Sequence, residues 1–324
     1  MGYPQNRMRR LRSSQAVRRL VSETSLCADN FIYPLFVKSG KGIKEPIKSL
    51  TDSYYFSPDS IAAEVEQIYS LGIPAVLLFG HPSQKDDIAS QSWSEDGTVQ
   101  QAIKQIKQRV PQIAIITDVC LCAYTKNGHC GIIKDGKIDN DATCQSLAKV
   151  ALSHAQAGAD IVAPSDMMDG RVKFIRECLE ENGFPDVGIM SYAAKYASSF
   201  YGPFRDAADS SPAFGDRKSY QMDTANVRQA LREIELDIEE GADIVMIKPA
   251  LSFLDVICKA KEKFSCPVAA YNVSGEYMMI IKAAENGVLD KNAAMMEVLY
   301  SIKRAGADII ISYFAKEAAK LLSK

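Results

Sequence analysis

Two patterns of apolar residues alternate along the chain. Short apolar runs, rich in β-branched residues, are typical of strands buried in a parallel sheet. Between them lie segments in which apolar residues recur every three or four positions, which is typical of helices that bury one face. The segment 225–240 is an example, with apolar side chains at Val227, Ala230, Leu231, Ile234 and Ile238. The chain is therefore predicted to alternate strands and helices.

Eight strands are predicted from these runs, at 31–37, 75–79, 113–119, 161–163, 187–192, 243–248, 268–273 and 309–313. Helices are predicted near 57–71, 98–110, 142–157, 171–182, 225–240, 252–263, twice within 276–304, and at the C-terminus. The tetrapeptide Gly-Ala-Asp-Ile occurs at 158, 241 and 306, each time where a helix turns into a strand. Glycine suits the left-handed residue that ends a helix.

Eight strand–helix units in 324 residues predict an α/β fold, a (β/α)8 TIM barrel. A doubly wound open sheet is the rival, but such folds usually carry a glycine-rich phosphate loop after the first strand, and none is found. We expect residues 1–25 to form an N-terminal arm for subunit contacts and residues 26–324 to form the catalytic barrel.

Composition narrows the function classes. A net charge of −2 gives no reason to expect nucleic acid or a membrane surface as a partner. Eight cysteines, without an apolar leader in the first twenty residues, indicate a reducing compartment. We therefore expect a cytoplasmic protein. Residues 1–19 contain six arginines and no acid, which fits either an organelle transit peptide or an arm that docks on a neighbouring subunit.

Polar residues stand at the carboxyl ends of the predicted strands, where TIM barrels place their active sites. They include Asp118, Ser165, Asp166, Tyr192, Tyr271, Asn272, Ser274 and Tyr313. Two lysines stand out, because Lys248 ends the sixth strand and Lys195 follows the fifth. A desolvated lysine favours its neutral amine, and a nearby second ammonium lowers the pKa further. A neutral amine can attack a carbonyl carbon and form a Schiff base.

Three thiols lie between positions 120 and 130, at Cys120, Cys122 and Cys130. In an extended segment the first two point the same way, and the Asn127-Gly128 turn can bring the third back. Three thiolates with one open position is a pattern found at catalytic zinc. His129 is a further possible ligand, although its neighbour Cys130 would normally point the other way. His154 is expected on a helix surface.

Several motifs resemble those of the porphobilinogen synthase (δ-aminolevulinic acid dehydratase) family, in order and over essentially the whole chain. They are Asp118-Val-Cys-Leu-Cys, Gly128-His-Cys-Gly, Ser165-Asp-Met-Met-Asp-Gly-Arg, Ser191-Tyr-Ala-Ala-Lys-Tyr-Ala-Ser-Ser-Phe-Tyr-Gly-Pro-Phe-Arg, Met246-Ile-Lys-Pro-Ala and Asn272-Val-Ser-Gly-Glu-Tyr. The resemblance implies a lyase that condenses two molecules of 5-aminolevulinate into porphobilinogen, with loss of two waters, on the route to haem and other tetrapyrroles.

The resemblance also implies roles for individual residues. Lys248 would form a Schiff base with the propionate-side substrate, and Lys195 would hold the acetate-side molecule. Asp118 would act beside the metal as a proton acceptor or as a partner to the substrate amine, and residues 199–221 would form a lid. Zinc would bind Cys120, Cys122 and Cys130. The residues implied to contact substrate are Arg205, Arg217, Gln221, Ser274, Tyr313, Ser165, Tyr201, Phe204 and Tyr271.

A second metal site is implied on the helix at 225–240. Glu233 and Asp237 are four residues apart and share a face, and Glu240 extends this acidic stripe. The spacing alone favours a solvated acidic face, whereas the resemblance implies an activating magnesium ion at Glu233. It also implies allosteric regulation and a homo-octamer whose arms embrace neighbouring subunits.

Two rival functions follow from the residues. A class I aldolase-like lyase would use one barrel lysine and would need neither the thiol cluster nor a second lysine. A non-catalytic barrel that serves only as a scaffold would show no carbonyl chemistry at either lysine.

Overall fold

A closed barrel of parallel strands forms the centre of the molecule. The computed structural model describes residues 2–323, so that Met1 and Lys324, the ends of the predicted arm and barrel domain, lie outside the described residues. The barrel strands, numbered β1 to β8 here, are Phe31–Lys38, Ala75–His81, Ala114–Val119, Ile161–Pro164, Gly188–Lys195, Ile244–Lys248, Val268–Asn272 and Ile309–Ser312. Each pairs in parallel with the next, and β8 pairs with β1. This closure confirms the TIM barrel and excludes the open sheet.

Helices follow the strands around the outside of the barrel. The α-helices are Gln15–Leu20, Pro58–Ser70, Thr98–Arg109, Asn140–Ala157, Arg171–Glu181, Gly202–Ala207, Arg228–Glu239, Leu254–Lys263, Ser274–Glu285, Lys291–Arg304 and Ala315–Leu322. The 3₁₀ helices are Met8–Arg12, Ala28–Asn30, Ser90–Trp93, Ser199–Tyr201 and Leu251–Phe253. Most predicted helices and strands are therefore present, with ends that shift by a few residues.

Two short strand pairs lie outside the barrel. Lys44–Pro46 pairs with Tyr54–Phe56, which also extends the sheet beside β1, and Ile132–Lys134 pairs with Lys137–Asp139. None of the eight predicted strands falls between residues 38 and 56. One barrel strand also differs from the prediction, because β5 continues beyond 192 and ends at Lys195. Lys195 is therefore the last residue of a strand rather than a residue that follows one.

The repeated Gly-Ala-Asp-Ile motif has a structural explanation. Its glycines have φ values of 105°, 107° and 117°, which suit the left-handed end of a helix. Its aspartates, Asp160, Asp243 and Asp308, accept hydrogen bonds from backbone amides at the starts of neighbouring strands, over 2.7, 2.7 and 2.9 Å. Each aspartate also pairs with a helix cation. The motif therefore fastens helices to the amino ends of barrel strands, away from the mouth.

The prediction that His154 lies on a helix surface is wrong. Its side chain is 1% exposed, and its Nδ1 atom lies 3.0 Å from the hydroxyl oxygen of Thr117 on β3. Burial lowers the pKa of His154 to about 3, so the imidazole is neutral. The residue is buried because its helix, Asn140–Ala157, turns this face towards the barrel.

The N-terminal segment makes few contacts with the barrel. Neither Met8–Arg12 nor Gln15–Leu20 contains a buried residue, and large apolar side chains such as Leu11 and Leu20 are exposed. Its role in subunit contacts stays a prediction. Within residues 2–323, no helix combines the length and the apolar character needed to cross a membrane.

Candidate active site

Two buried lysines lie side by side at the mouth of the barrel. Strands β5 and β6 are neighbours, and their register pairs Lys195 directly with Lys248. Each lysine is only 5% exposed. The Lys248 Nζ atom lies within about 5 Å of four aromatic ring centres, those of Tyr192, Tyr201, Phe204 and Tyr271. The strand register thus brings two amines into one apolar chamber.

This environment changes the ionisation of Lys248. Burial, followed by the positive charge of Lys195, lowers the pKa of Lys248 to about 7. Both causes disfavour the ammonium form, since one removes water from the charge and the other repels it. Near neutral pH, about half of the molecules therefore carry Lys248 as a free amine. A free amine in a carbonyl-binding pocket can form an imine.

Asp118 and Ser165 complete the polar side of the chamber. The Lys195 Nζ atom donates a hydrogen bond to the Ser165 backbone oxygen, and the Ser165 side chain hydrogen-bonds Asp118. The Asp118 side chain keeps some exposure to the barrel mouth, yet burial raises the pKa of its carboxyl against the pull of both lysines. A carboxyl group with a raised pKa beside two amines suits proton transfer.

The three predicted cysteines converge near these groups. The Sγ atoms of Cys120, Cys122 and Cys130 all lie within 4.8 Å of one another, and all three side chains are buried. Hydrogen bonds from the other two thiols, together with the charges of Arg217 and Lys195, hold the pKa of the Cys130 thiol well below its usual range. A buried cluster of three thiols this close together is a suitable site for a thiophilic metal ion.

His129 is not part of the thiol cluster. Its Nδ1 atom lies 3.1 Å from the Tyr220 hydroxyl, and its Nε2 atom lies 3.0 Å from the Phe214 backbone oxygen. Both ring nitrogens are therefore already engaged by residues of the predicted lid. The suggestion that His129 is a further metal ligand is not supported by this geometry.

The predicted lid, residues 199–221, lies over the chamber. Its helix Gly202–Ala207 is held by two residues of the 38–56 segment, because Ser49 donates to the Pro203 oxygen over 2.9 Å and Tyr55 donates to the Ala207 oxygen over 2.6 Å. The sequence did not single out these residues. The adjacent aromatic residues Tyr54-Tyr55-Phe56 were the one feature of the sequence that could have indicated that this segment packs against another part of the protein.

Three lid residues present unpaired polar atoms. The Nε atoms of Arg205 and Arg217 and both amide atoms of Gln221 are buried and have no hydrogen-bond partner among residues 2–323. Burial and the charge of Arg217 also lower the pKa of Arg205, because two cations are held close together. Unpaired buried donors are costly, so such a site favours an anionic ligand that pairs with them.

A second polar group lies at the ends of β7 and β8. Ser274 and Tyr313 are 1% and 4% exposed, and the hydroxyls of Tyr271 and Tyr313 are 3.3 Å apart. The Ser274 hydroxyl accepts a hydrogen bond from the Phe204 amide over 3.0 Å, which links it to the lid. The structure thus brings the predicted substrate residues together in two groups around the lysine pair.

The acidic stripe on the helix Arg228–Glu239 differs from the expectation. Asp237 is 2% exposed and forms a bidentate ion pair with Arg171, with contacts of 2.6 and 2.8 Å. It is therefore not available as part of a solvated acidic face or of a shared metal site. Glu233 is half-buried, 3.5 Å from the Gln229 amide, and burial raises the pKa of its carboxyl. The spacing predicted a common face correctly, but it could not show which acid already had a partner.

A TIM barrel with paired lysines, a thiol cluster and a lid at the carboxyl ends of its strands defines the molecule as a barrel enzyme. Residues 5–321 match the family model described as "Delta-aminolevulinic acid dehydratase". A relative of that name from Methanothermus sociabilis is 57% identical, with 98% of this chain and 98% of the relative covered. Another from Synechococcus elongatus is 53% identical, with 99% of this chain and 100% of the relative covered.

A solved structure supports the same assignment. The δ-aminolevulinic acid dehydratase (porphobilinogen synthase) of Toxoplasma gondii, in complex with its reaction product porphobilinogen, superimposes with a TM-score of 0.95. It is 46% identical to this chain, with 98% of this chain and 91% of that chain covered. The chain therefore belongs to the δ-aminolevulinic acid dehydratase family and is an enzyme, a lyase of the hydro-lyase type.

The labelling of Lys248 by a small amine-selective acylating reagent should rise through about pH 7, because its pKa is held there. The variant Lys195→Met removes a neighbouring positive charge, so the pKa of Lys248 should rise and the labelling midpoint should move to higher pH. Mass spectrometry of the labelled peptides measures both midpoints, and the exposed Lys104 is the internal control. If Lys248 titrates with Lys104 and ignores the substitution, the two lysines are not electrostatically linked.

Proposed function

We propose that this enzyme is a porphobilinogen synthase that condenses two molecules of 5-aminolevulinate through lysine Schiff bases. The observation that carries the proposal is the direct pairing of Lys195 with Lys248 at the end of β5 and β6. One amine per substrate fits a reaction between two identical ketones. A single-lysine aldolase-like reaction leaves Lys195 and the thiol cluster without a role.

In the proposed reaction, the neutral amine of Lys248 adds to the ketone carbon of the substrate that supplies the propionate side, and that ketone oxygen leaves as water. The imine withdraws electrons, so that a carbon–carbon bond can form by an aldol-type step. Lys195 holds the second molecule, which supplies the acetate side and loses its own ketone oxygen as water. Both lysine amines are released when the pyrrole closes, so two substrates give one porphobilinogen and two waters.

Asp118 is proposed to move protons in this reaction. Its carboxyl is hydrogen-bonded by the Ser165 side chain and feels the charges of both lysines. Its raised pKa lets it take a proton from one amine and return it to a departing hydroxyl group. Tyr201 fixes the neighbouring backbone, because its hydroxyl donates to the Lys248 oxygen over 3.1 Å. The surrounding aromatic rings exclude the water that would hydrolyse an imine.

The two polar groups beside the lysines are proposed to bind the substrate carboxylates. Arg205, Arg217 and Gln221 would hold the carboxylate of the second substrate, since their buried, unpaired N–H groups can donate to its two oxygens. Ser274 and Tyr313 would hold the carboxylate of the first substrate, beside Tyr271. Because the lid supplies Arg205 and Arg217, closing it would bind the second substrate and exclude water in the same movement.

Zinc is proposed as the ion held by Cys120, Cys122 and Cys130. The three sulfurs lie within 4.8 Å of one another, and hydrogen bonds from the other two thiols, together with positive charge from Arg217 and Lys195, favour the thiolate form of Cys130. Zinc with three protein ligands retains a position for a substrate oxygen or amine, and it would supply Lewis-acid polarisation there. The chain's own contribution is to hold the three sulfurs and to place Asp118 on the adjoining strand end.

Assembly and pathway are further parts of the proposal. The product would enter the synthesis of haem and other tetrapyrroles. The basic N-terminal segment would embrace a neighbouring subunit in a homo-octamer, since it exposes apolar residues and buries none in its two short helices. Magnesium would bind at Glu233, with water completing its coordination, and would act allosterically by favouring the octamer.

Borohydride added together with 5-aminolevulinate should trap covalent mass at Lys248 and, less readily, at Lys195. The reduction converts an imine into a stable amine, so peptide mass spectrometry can locate it. In Lys248→Ala the main adduct should disappear. An adduct whose position and yield are unchanged in that variant would contradict the assignment.

A chelator should remove the activity, and added zinc should restore it, because thiolate sites lose metal to chelators and when their thiols are protonated. In a Cys130→Ser variant the bound zinc should fall, as measured by elemental analysis, and zinc should no longer rescue the rate. Cys258→Ser is the matched control, because Cys258 is exposed on a helix outside the cluster. Full turnover by a verified metal-free sample would refute the zinc proposal.

Deleting residues 1–18 should lower the molecular mass in light scattering, because the arms would no longer hold neighbouring subunits. An unchanged mass would refute this role of the arm.

With zinc saturating, magnesium should increase the activity of the parent enzyme, and Glu233→Ala should lose this increase while keeping basal turnover. Glu239→Ala is the matched control, because Glu239 is exposed on the same helix. A magnesium response that survives in Glu233→Ala would refute the proposed magnesium site.

A further inference from the structure

The residues that lead into Cys130 are fastened to the lid one after another. Residues 127–130 are called the cysteine loop here. Two backbone oxygens accept hydrogen bonds from the lid: that of Asn127 from the Ala213 amide and that of Gly128 from Arg217 Nη2, each over 2.9 Å. His129 Nε2 lies 3.0 Å from the Phe214 backbone oxygen. The Cys130 amide donates to the Tyr220 hydroxyl over 3.4 Å. Every residue of the cysteine loop therefore has a partner in the lid.

The hydrogen bonds made by His129 have defined donors and acceptors. A backbone oxygen can only accept, so His129 Nε2 must carry the proton and donate it to Phe214. In the neutral imidazole, Nδ1 is then an acceptor for the Tyr220 hydroxyl, and that hydroxyl oxygen accepts from the Cys130 amide. The result is one chain of hydrogen bonds from Cys130 through Tyr220 and His129 to Phe214. His129 is only 4% exposed, and its ring lies 4.7 Å from the Phe214 ring.

Gly128 allows the two segments to approach closely. Its φ of +70° is in the left-handed region, and a Cβ atom placed on it would lie 2.3 Å from the Ser211 backbone oxygen. A backbone atom cannot yield as the end of a flexible side chain can. Any side chain at this position would therefore push the lid away from the cysteine loop.

We propose that the cysteine loop couples metal binding at the three thiols to closure of the lid, with His129 as the positioning residue. The inference rests on the proposed metal at Cys120, Cys122 and Cys130, and it adds a mechanical connection to it. A metal ion that holds Cys130 in place also holds Gly128 and His129, which bind Arg217 and Phe214 of the lid. The metal therefore favours the closed lid. The metal should therefore raise the affinity of a ligand that closes the lid. By thermodynamic linkage, that ligand must raise the metal affinity by the same factor.

The lid itself offers a readout that does not depend on turnover. Trypsin cleaves after lysine and arginine, and Lys218 is an exposed lid residue with 77% of its side chain accessible. Cleavage there requires the lid to open, because a protease needs an extended segment. In the parent enzyme, zinc should slow cleavage at Lys218 by about tenfold, a typical size for allosteric coupling. Porphobilinogen should tighten zinc binding by a similar factor, measured by competition with a chromogenic chelator.

Matched glycine variants separate coupling from general backbone strain. Gly128→Ala should reduce the protection by zinc to less than twofold. Gly136→Ala is the control, because Gly136 has a similar φ of +76° but nothing within 4 Å of its added Cβ atom. It should keep the full protection. Comparable melting temperatures for the two variants would show that both chains fold.

Variants of His129 test the positioning role. His129→Ala should lose the coupling, whereas His129→Gln, whose amide can donate to Phe214 and accept from Tyr220, should retain part of it.

Loss of zinc binding in Cys130→Ser together with loss of lid protection supports the inference. Zinc that does not bind the parent enzyme would overturn both the metal proposal and this inference. Zinc that binds through the cysteines but leaves lid cleavage unchanged, or protects Gly128→Ala as well as the parent, would overturn this inference alone.

Discussion

The desolvation of Lys248 is the constraint on which the rest of the site depends. An ammonium group buried among Tyr192, Tyr201, Phe204 and Tyr271 gains only weak compensation from the faces of these rings. The positive charge of Lys195 makes the charged state less favourable still. A surface lysine would be protonated at neutral pH and could not attack a carbonyl carbon at a useful rate. The barrel therefore supplies chemistry by placing two amines where water cannot stabilise both charges.

Lid closure and metal binding extend this principle. The lid shields the chamber and supplies Arg205 and Arg217, whose unpaired donors would be costly unless an anion joined them. The cysteine loop contacts the same lid through four consecutive residues. In the proposed account, substrate carboxylate, metal and lid each stabilise the arrangement that the other two need. On this proposal, the site is complete only when all three are in place.

The sequence predicted the barrel and the lysine pair because both depend on local patterns. Apolar runs located the strands, and the carboxyl end of a strand is where a TIM barrel places its chemistry. The sequence also predicted the convergence of Cys120, Cys122 and Cys130, since period-two alternation and an Asn-Gly turn have known geometry. The proposal of substrate residues came from the family resemblance, because a strand-end residue carries no local signal of its ligand.

The errors came from interactions between distant segments. His154 looked like a helix-surface residue because the sequence gave no indication that Thr117 would face it. Asp237 looked like part of a free acidic stripe because its partner, Arg171, is distant in the chain. His129 was a plausible metal ligand until Phe214 and Tyr220 engaged both of its nitrogens. Tertiary partners decide such roles, and a single sequence does not record them.

Lys248 is proposed to be the amine that reacts with 5-aminolevulinate in a two-substrate condensation. The most direct measurement is pyrrole formation by the purified, zinc-supplemented enzyme with 5-aminolevulinate as the sole organic substrate, beside a Lys248→Arg variant. Arginine keeps the positive charge but cannot form an imine. The parent enzyme should make porphobilinogen, and the variant should not. Pyrrole formation by Lys248→Arg at the parent rate, or none by the parent, would contradict this proposal.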